Sequence, residues 1–166
     1  MTGPSEPVGD PAPLPPPPDL ASPAVPASRI PYVDLAGTVA LLVTTIGAWA
    51  MPGNVTDTAL LVASAVLFLG GSAAFVVGFV KAIGRSRYET IYLAGLFYLT
   101  GTAPKVVRDS LLRLWFLQIG LAVLGAFVTQ PPFGVMAPLW GIGMLTLWGA
   151  LHGEFAPRPP SPRRGR

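Results

Sequence analysis

The sequence predicts an all-α integral membrane protein: four transmembrane helices in two hairpins, with one short interfacial or re-entrant helix between them. Two observations lead there. The 166 residues are 51% hydrophobic and 11% charged, against about 25% charged in ordinary soluble domains. The charges are also unevenly placed, all but Asp57 falling in the first thirty-four residues, between Lys81 and Arg113, or after His152. Between these clusters lie charge-free runs of the length a bilayer crossing needs.

Residues 1–31 contain the run Pro15, Pro16, Pro17, Pro18 among further prolines, small residues and acids. Such a segment buries too little apolar area to offset its ordering entropy. The expectation is a disordered arm of polyproline II character. A cleavable signal peptide is not expected, since the first apolar run starts late and lacks a basic front.

Residues 32–153 form the expected transmembrane domain. Its first span covers 33–51, stopped by Pro52, Gly53 and Asn54, and Asp57 is placed to cap the second. The second span covers 58–80, twenty-three residues without a charge, or about 34 Å of helix. That slightly exceeds a hydrocarbon core of about 30 Å, so tilt is expected. The thirty-eight uncharged residues 114–151 are interrupted by Pro131 and Pro132. They divide into a third span, 111–129, with Arg113 snorkelling to the headgroups, and a fourth, 133–151, closed by Gly153 and Pro157. Segment 88–104 is apolar over only fifteen residues between Glu89 and Lys105, about 22 Å of helix, which is short for a crossing. It is therefore assigned as the interfacial or re-entrant helix.

The charge distribution sets the expected orientation. Of the lysines and arginines, six lie between Lys81 and Arg113, four in the tail 154–166, one in the N-terminal arm and none in the two short hairpins. By the positive-inside rule both termini and the central segment are cytoplasmic, in the plasma membrane, and the hairpins face outward. Trp49, Trp115, Trp140, Trp148, Tyr88, Tyr92 and Tyr98 mostly lie near span ends, where amphipathic rings favour the interface.

Few residues stand out as candidate sites. Gly70, Ala74 and Gly78, at i, i+4 and i+8, put small side chains on one face of the second helix, the pattern that lets helices pack closely in lipid. Packing inside the bundle and dimerisation are the two uses of such a face. Gln118 is the one strongly polar side chain expected well inside a span, so it should hydrogen-bond to a neighbouring helix. No Asp, Glu, Lys, Arg or His is expected at mid-membrane, which weighs against a proton-coupled carrier. Lys105, Arg108, Arg113, Arg158, Arg163 and Arg164 are the candidates for contact with anionic lipid headgroups.

Other chemistry finds little support. The chain has no cysteine, which removes disulfides, thiolate metal sites and thiol nucleophiles. His152 is the single histidine and has Glu154 two residues on. A histidine at a helix C-terminus is accounted for by the helix dipole, so no catalytic, metal or cofactor-binding residues are assigned. The net charge of +3 reflects arginines flanking spans, not a nucleic-acid surface. Asn54, Val55 and Thr56 match a glycosylation acceptor that sits in a tight turn beside the membrane, and it is set aside.

The second half of the chain carries a distinctive series of residues: Gly95, Leu96, Phe97, Tyr98, Leu99, Thr100, Gly101, then Ala103, Pro104, Lys105 and Arg108. Later come Phe133, Gly134, Val135, Met136, Ala137, Pro138, then Gly141, Gly143, and the ending Leu147, Trp148, Gly149, Ala150, Leu151, His152, Gly153, Glu154, Phe155. This half of the chain resembles a group of small tetraspan membrane proteins of high-GC Gram-positive bacteria, the actinobacteria. The resemblance brings no catalytic residues. It points to 103–108 and 148–155, meeting at the cytoplasmic membrane surface, as the places to look for function.

Three functions follow as expectations. The first is a non-enzymatic membrane accessory or scaffold protein, associating with a larger membrane protein or with itself. A small oligomeric transporter or channel lined by Gln118, Thr44, Thr45 and Ser72 is the alternative. A lipid-acting interface enzyme using His152, Glu154, Lys105 and Arg108 is the third.

Overall fold

A computed structural model of the chain describes residues 28–128 and 134–158. Most of the proline-rich arm, the break expected at Pro131 and Pro132, and Arg163 and Arg164 lie outside them. Within them are five α-helices: α1 (Ile30–Ala50), α2 (Asn54–Arg85), α3 (Leu93–Phe97), α4 (Lys105–Val128) and α5 (Leu139–His152). Three of these, α1, α2 and α4, are long and apolar enough to cross a membrane. The fourth expected span is shorter than the sequence implied: α5 has 14 residues, about 21 Å, against about 30 Å for a hydrocarbon core.

The reason lies at Pro138. Proline lacks the N–H that a helix interior requires and disfavours helical backbone in the residue before it. Residues 134–138 accordingly form turns, begun by Gly134 at φ +99°, and α5 starts at Leu139 with Pro138 as its N-cap, six residues later than the expected 133. The second and third helices differ the other way. The flanking polar residues continue the helix, so that α2 runs 32 residues and α4 begins at Lys105. Asp57 lies in the first turn of α2 and makes no cap hydrogen bond, and there its charge complements the dipole.

Helix direction follows from which residues meet. Ile30 packs on a cluster that includes Val107, Leu111 and Trp148, and further along Leu41 shares a cluster with Leu121, so α1 and α4 run the same way. Gly71 faces Leu139 and Gly143, and Gly78 faces Thr146 and Leu147, so α2 and α5 run together in the opposite direction. The N-terminal ends of α1 and α4, the C-terminal ends of α2 and α5, and α3 therefore share one end of the bundle. The 51–53 turn and residues 134–138 occupy the other.

The α2–α5 contact is the broadest in the molecule. It is made by small residues: Gly71, Ala74, Gly78 and Ala82 are buried on α2, opposite Gly143 and Ala150 on α5. A methyl group added at Gly71 would stand 2.5 Å from the carbonyl oxygen of Leu139, and one at Gly78 would stand 2.9 Å from the amide nitrogen of Leu147. Backbones this close gain dispersion along their whole length, the main source of helix association where no water is displaced.

Segment 88–104 is not a continuous interfacial or re-entrant helix. Only α3 is helical, five residues long. The chain leaves it through Leu99 at φ +54° and Gly101 at φ +71°, and a left-handed leucine costs about 1 kcal/mol. Its fully buried side chain packs with Val107, Leu111, Leu145 and Trp148, which offsets that cost.

The segment is folded against the tail to make a cap over this end. Glu89 and Pro157 form an antiparallel bridge. The Thr90 N–H donates to Ala156 O at 2.8 Å, the Arg158 N–H to Tyr88 O at 2.9 Å, and the Glu154 N–H to Thr102 O at 3.0 Å. Arg85 is the pivot. Its Nη1 donates to Ala150 O at 2.9 Å and its Nη2 to Gly153 O at 2.8 Å, carbonyls at the end of α5 that lack helical partners. Its Nε donates to Glu89 Oε2 at 2.9 Å, and the guanidinium lies 5.3 Å from the ring centre of Phe155.

Two predictions follow from this packing. Gly71→Ala lowers the thermal midpoint in detergent, whereas Gly84→Ala, where an added methyl meets nothing within 4 Å, leaves it unchanged or raises it through helix propensity of up to about 1 kcal/mol. Arg85→Ala removes three charge-assisted hydrogen bonds, a loss of about 1–3 kcal/mol. It accelerates limited proteolysis in 154–166 over wild type while the helical circular dichroism is retained.

Candidate functional site

The most elaborate constellation among the described residues is polar and buried. It joins α1, α4 and α5 around Gln118, which is completely inaccessible, as is Asp34. Asp34 and Thr38 are four residues apart on α1 and so share one helix face. The Thr38 hydroxyl donates to the Asp34 carbonyl oxygen at 2.9 Å, which leaves its oxygen free to accept.

Gln118 uses both ends of its amide. Nε2 donates to Asp34 Oδ1 at 3.0 Å and to Thr38 Oγ1 at 2.7 Å. Oε1 accepts the Gly141 N–H at 2.9 Å. Gly141 is the third residue of α5, so this N–H is one of the first four that no helical carbonyl can satisfy. The side chain of one helix thus caps the start of another and fixes a third.

Space for this arrangement comes from glycines. A methyl at Gly141 would stand 2.7 Å from Gln118 Oε1, and one at Gly70 would stand 2.7 Å from the Trp140 ring. Gly141 and Gly143 therefore matter for close approach, Gly141 to Gln118 and Gly143 to the backbone of Gly71.

Asp34 corrects the expectation that no ionisable group lies inside the bundle. The sequence reading grouped it with the flanking charges, because it stands one residue inside the expected first span. The structure begins α1 at Ile30 and turns Asp34 onto Gln118. Its second oxygen, Oδ2, is buried without a hydrogen-bond partner among the described residues, as are Thr45 Oγ1, Trp140 Nε1 and Trp148 Nε1.

The other singled-out residues separate. Gly70 is half-buried against Trp140, while Ala74 and Gly78 are buried, Gly78 against α5. Thr44 and Ser72 direct their hydroxyls to carbonyls of their own helices. His152 stacks beside Trp148 with ring centres 5.4 Å apart, and no hydrogen bond joins it to Glu154 among the described residues. Arg108 pairs with its neighbour Asp109 at 2.9 Å, a surface pair of at most about 1 kcal/mol. Lys105, Arg113 and Arg158 are exposed and in no ion pair among the described residues. No group of three or more His, Cys, Asp or Glu among the described residues is placed to hold a metal ion.

No family model matches the chain, and neither the curated proteins nor the solved structures gave a match.

Gln118→Leu leaves Asp34 Oδ1 and the Gly141 N–H without partners. It is expected to destabilise the protein by about 1–2 kcal/mol, read as a lower midpoint in detergent unfolding.

Proposed function

We propose that the chain is a non-enzymatic accessory or scaffold protein of the plasma membrane, with both termini cytoplasmic and α5 completing a fourth, shortened crossing. The observation that carries this reading is the use made of the interior polar groups. Gln118, Thr38 and one oxygen of Asp34 bond to one another across helices, and the hydroxyls of Ser64, Ser72 and Thr146 bond back to their own helices. Side chains engaged in this way hold helices in place rather than converge on a substrate.

What remains for a partner is the outside. Because α5 covers Ala74 and Gly78, the surface left to lipid or to a larger membrane protein lies elsewhere: on α2 it includes Val62, Val66, Leu69, Val76 and Val80, with further exposed apolar residues on α1 and α4. The orientation is supported by the grouping of every lysine and arginine among the described residues at one end of the bundle.

One observation favours a second reading, a small oligomeric transporter. Buried carboxyl groups within membrane-crossing segments commonly mark ion or proton paths, and Asp34 Oδ2 has no partner among the described residues.

Affinity purification of the tagged chain from native membranes in mild detergent, with native mass determination, separates the two. A larger membrane protein recovered in stoichiometric amount is the expected result. A homo-oligomer alone, together with proton flux in liposomes that Asp34→Asn abolishes, overturns the scaffold reading in favour of transport.

A further inference from the structure

The parallel course of α1 and α4 brings two helix N-termini side by side, and a cleft of about 790 Å³ opens between them. Arg29, Tyr32 and Leu35 line it from the α1 side, Val107 and Ser110 from α4, and Trp148 closes its floor. A second recess of about 550 Å³ adjoins it, sharing Val106, Ser110 and Leu114 and adding Lys105, Asp109 and Arg113. We propose that this cleft is a binding site for one anionic phospholipid, its phosphate held between Arg29 on one side and Lys105 and Arg113 on the other, with an acyl chain along Leu35 and Leu114. The proposal rests on the reading of the chain as embedded in a bilayer and adds to it a particular ligand.

Four features point to this chemistry. The first is charge: Arg29, Lys105 and Arg113 are exposed and in no ion pair among the described residues, while Asp109, the one acid in the recess, is held by Arg108. Second, the positive ends of two helix dipoles flank the site, and neither α1 nor α4 has an acidic residue in its first turn to neutralise them. A third feature is the indole N–H of Trp148. This residue is 1% exposed and lines the cleft, yet Nε1 has no acceptor among the described residues. Lastly, the walls are mainly apolar and the rim is open to the side, where Tyr32 and Val106 are each 75% exposed. A free phosphate would use the cations and leave the apolar wall empty, whereas a phospholipid uses both.

The test is native mass spectrometry of the full chain reconstituted with equal phosphatidylglycerol and phosphatidylcholine. Wild type is expected to retain one phosphatidylglycerol per chain in preference to phosphatidylcholine. The combined substitution Arg29→Gln, Lys105→Gln, Arg113→Gln reduces retention about tenfold or more. Ser110→Trp, which fills the cleft without changing charge, does the same while its unfolding midpoint stays near wild type, and Arg87→Gln, a charge removed at the same end outside the cleft, retains the lipid. The proposal is overturned if Ser110→Trp or the triple variant binds as wild type does. It is equally overturned if Arg87→Gln loses as much lipid as the triple variant, or if glycerol phosphate competes as well as the intact lipid. Release of the chain from membranes by alkaline carbonate without detergent is a different failure, since it removes the bilayer reading itself.

Discussion

A helix that begins inside a bundle has no water to satisfy its first N–H groups, and α5 begins in that way, with Gly141 buried. The carbonyls of Met136, Ala137 and Pro138 accept the N–H groups of Leu139, Trp140 and Ile142, and Gln118 Oε1 accepts the one left between them, that of Gly141, which fixes much else. Once the oxygen of the amide is committed to α5, its nitrogen must donate on the other side, where Asp34 and Thr38 of α1 receive it. The rotation of α1 and the position of α4 along it are thereby set by the needs of a third helix. Three helices that could otherwise slide against one another as apolar cylinders are held in one register by a single planar group.

The second element of the architecture is the α2–α5 pair. Its small residues bring two parallel backbones together, and the length of α2 then carries Arg85 to where α5 runs out of partners. The two ends of α5 are thus completed by other parts of the chain, Gln118 at its start and Arg85 at its finish. The same guanidinium grips Glu89, so helix termination and the folding of 88–104 onto the tail are one event. The basic end is consequently a shaped surface, with some arginines engaged in structure and others left facing outward.

Much of the helical frame was legible in the sequence because charge-free length is a signal read directly from composition. The three long helices fall where the uncharged runs lie, and the small-residue spacing of Gly70, Ala74 and Gly78 was visible as a pattern. Other features were less accessible, each for its own reason. Pro138 in an apolar run is a weak start signal in sequence because Pro131 and Pro132 already supply a break. Asp34 was counted with the flank because a boundary error of a few residues decides whether a carboxyl lies inside or outside. The role of Arg85 depends on Ala150 and Gly153, more than sixty residues away, and no local pattern encodes such a meeting. Segment 88–104 had the hydropathy of a surface helix, but its turns at Leu99 and Gly101 arise from tertiary burial of Leu99 that no local propensity shows.

The dependence of α5 on Gln118 and Arg85 also bears on the order of assembly. Chains fold from the N-terminus as they are synthesised, and both residues that complete α5 precede it in the sequence. By the time α5 emerges, Asp34 and Gln118 can already have met, and the small-residue face of α2 stands open. The last helix then enters as a keystone, finding an acceptor for its Gly141 N–H and a cation for the carbonyls of Ala150 and Gly153. The tail follows it and closes over the end it has just completed.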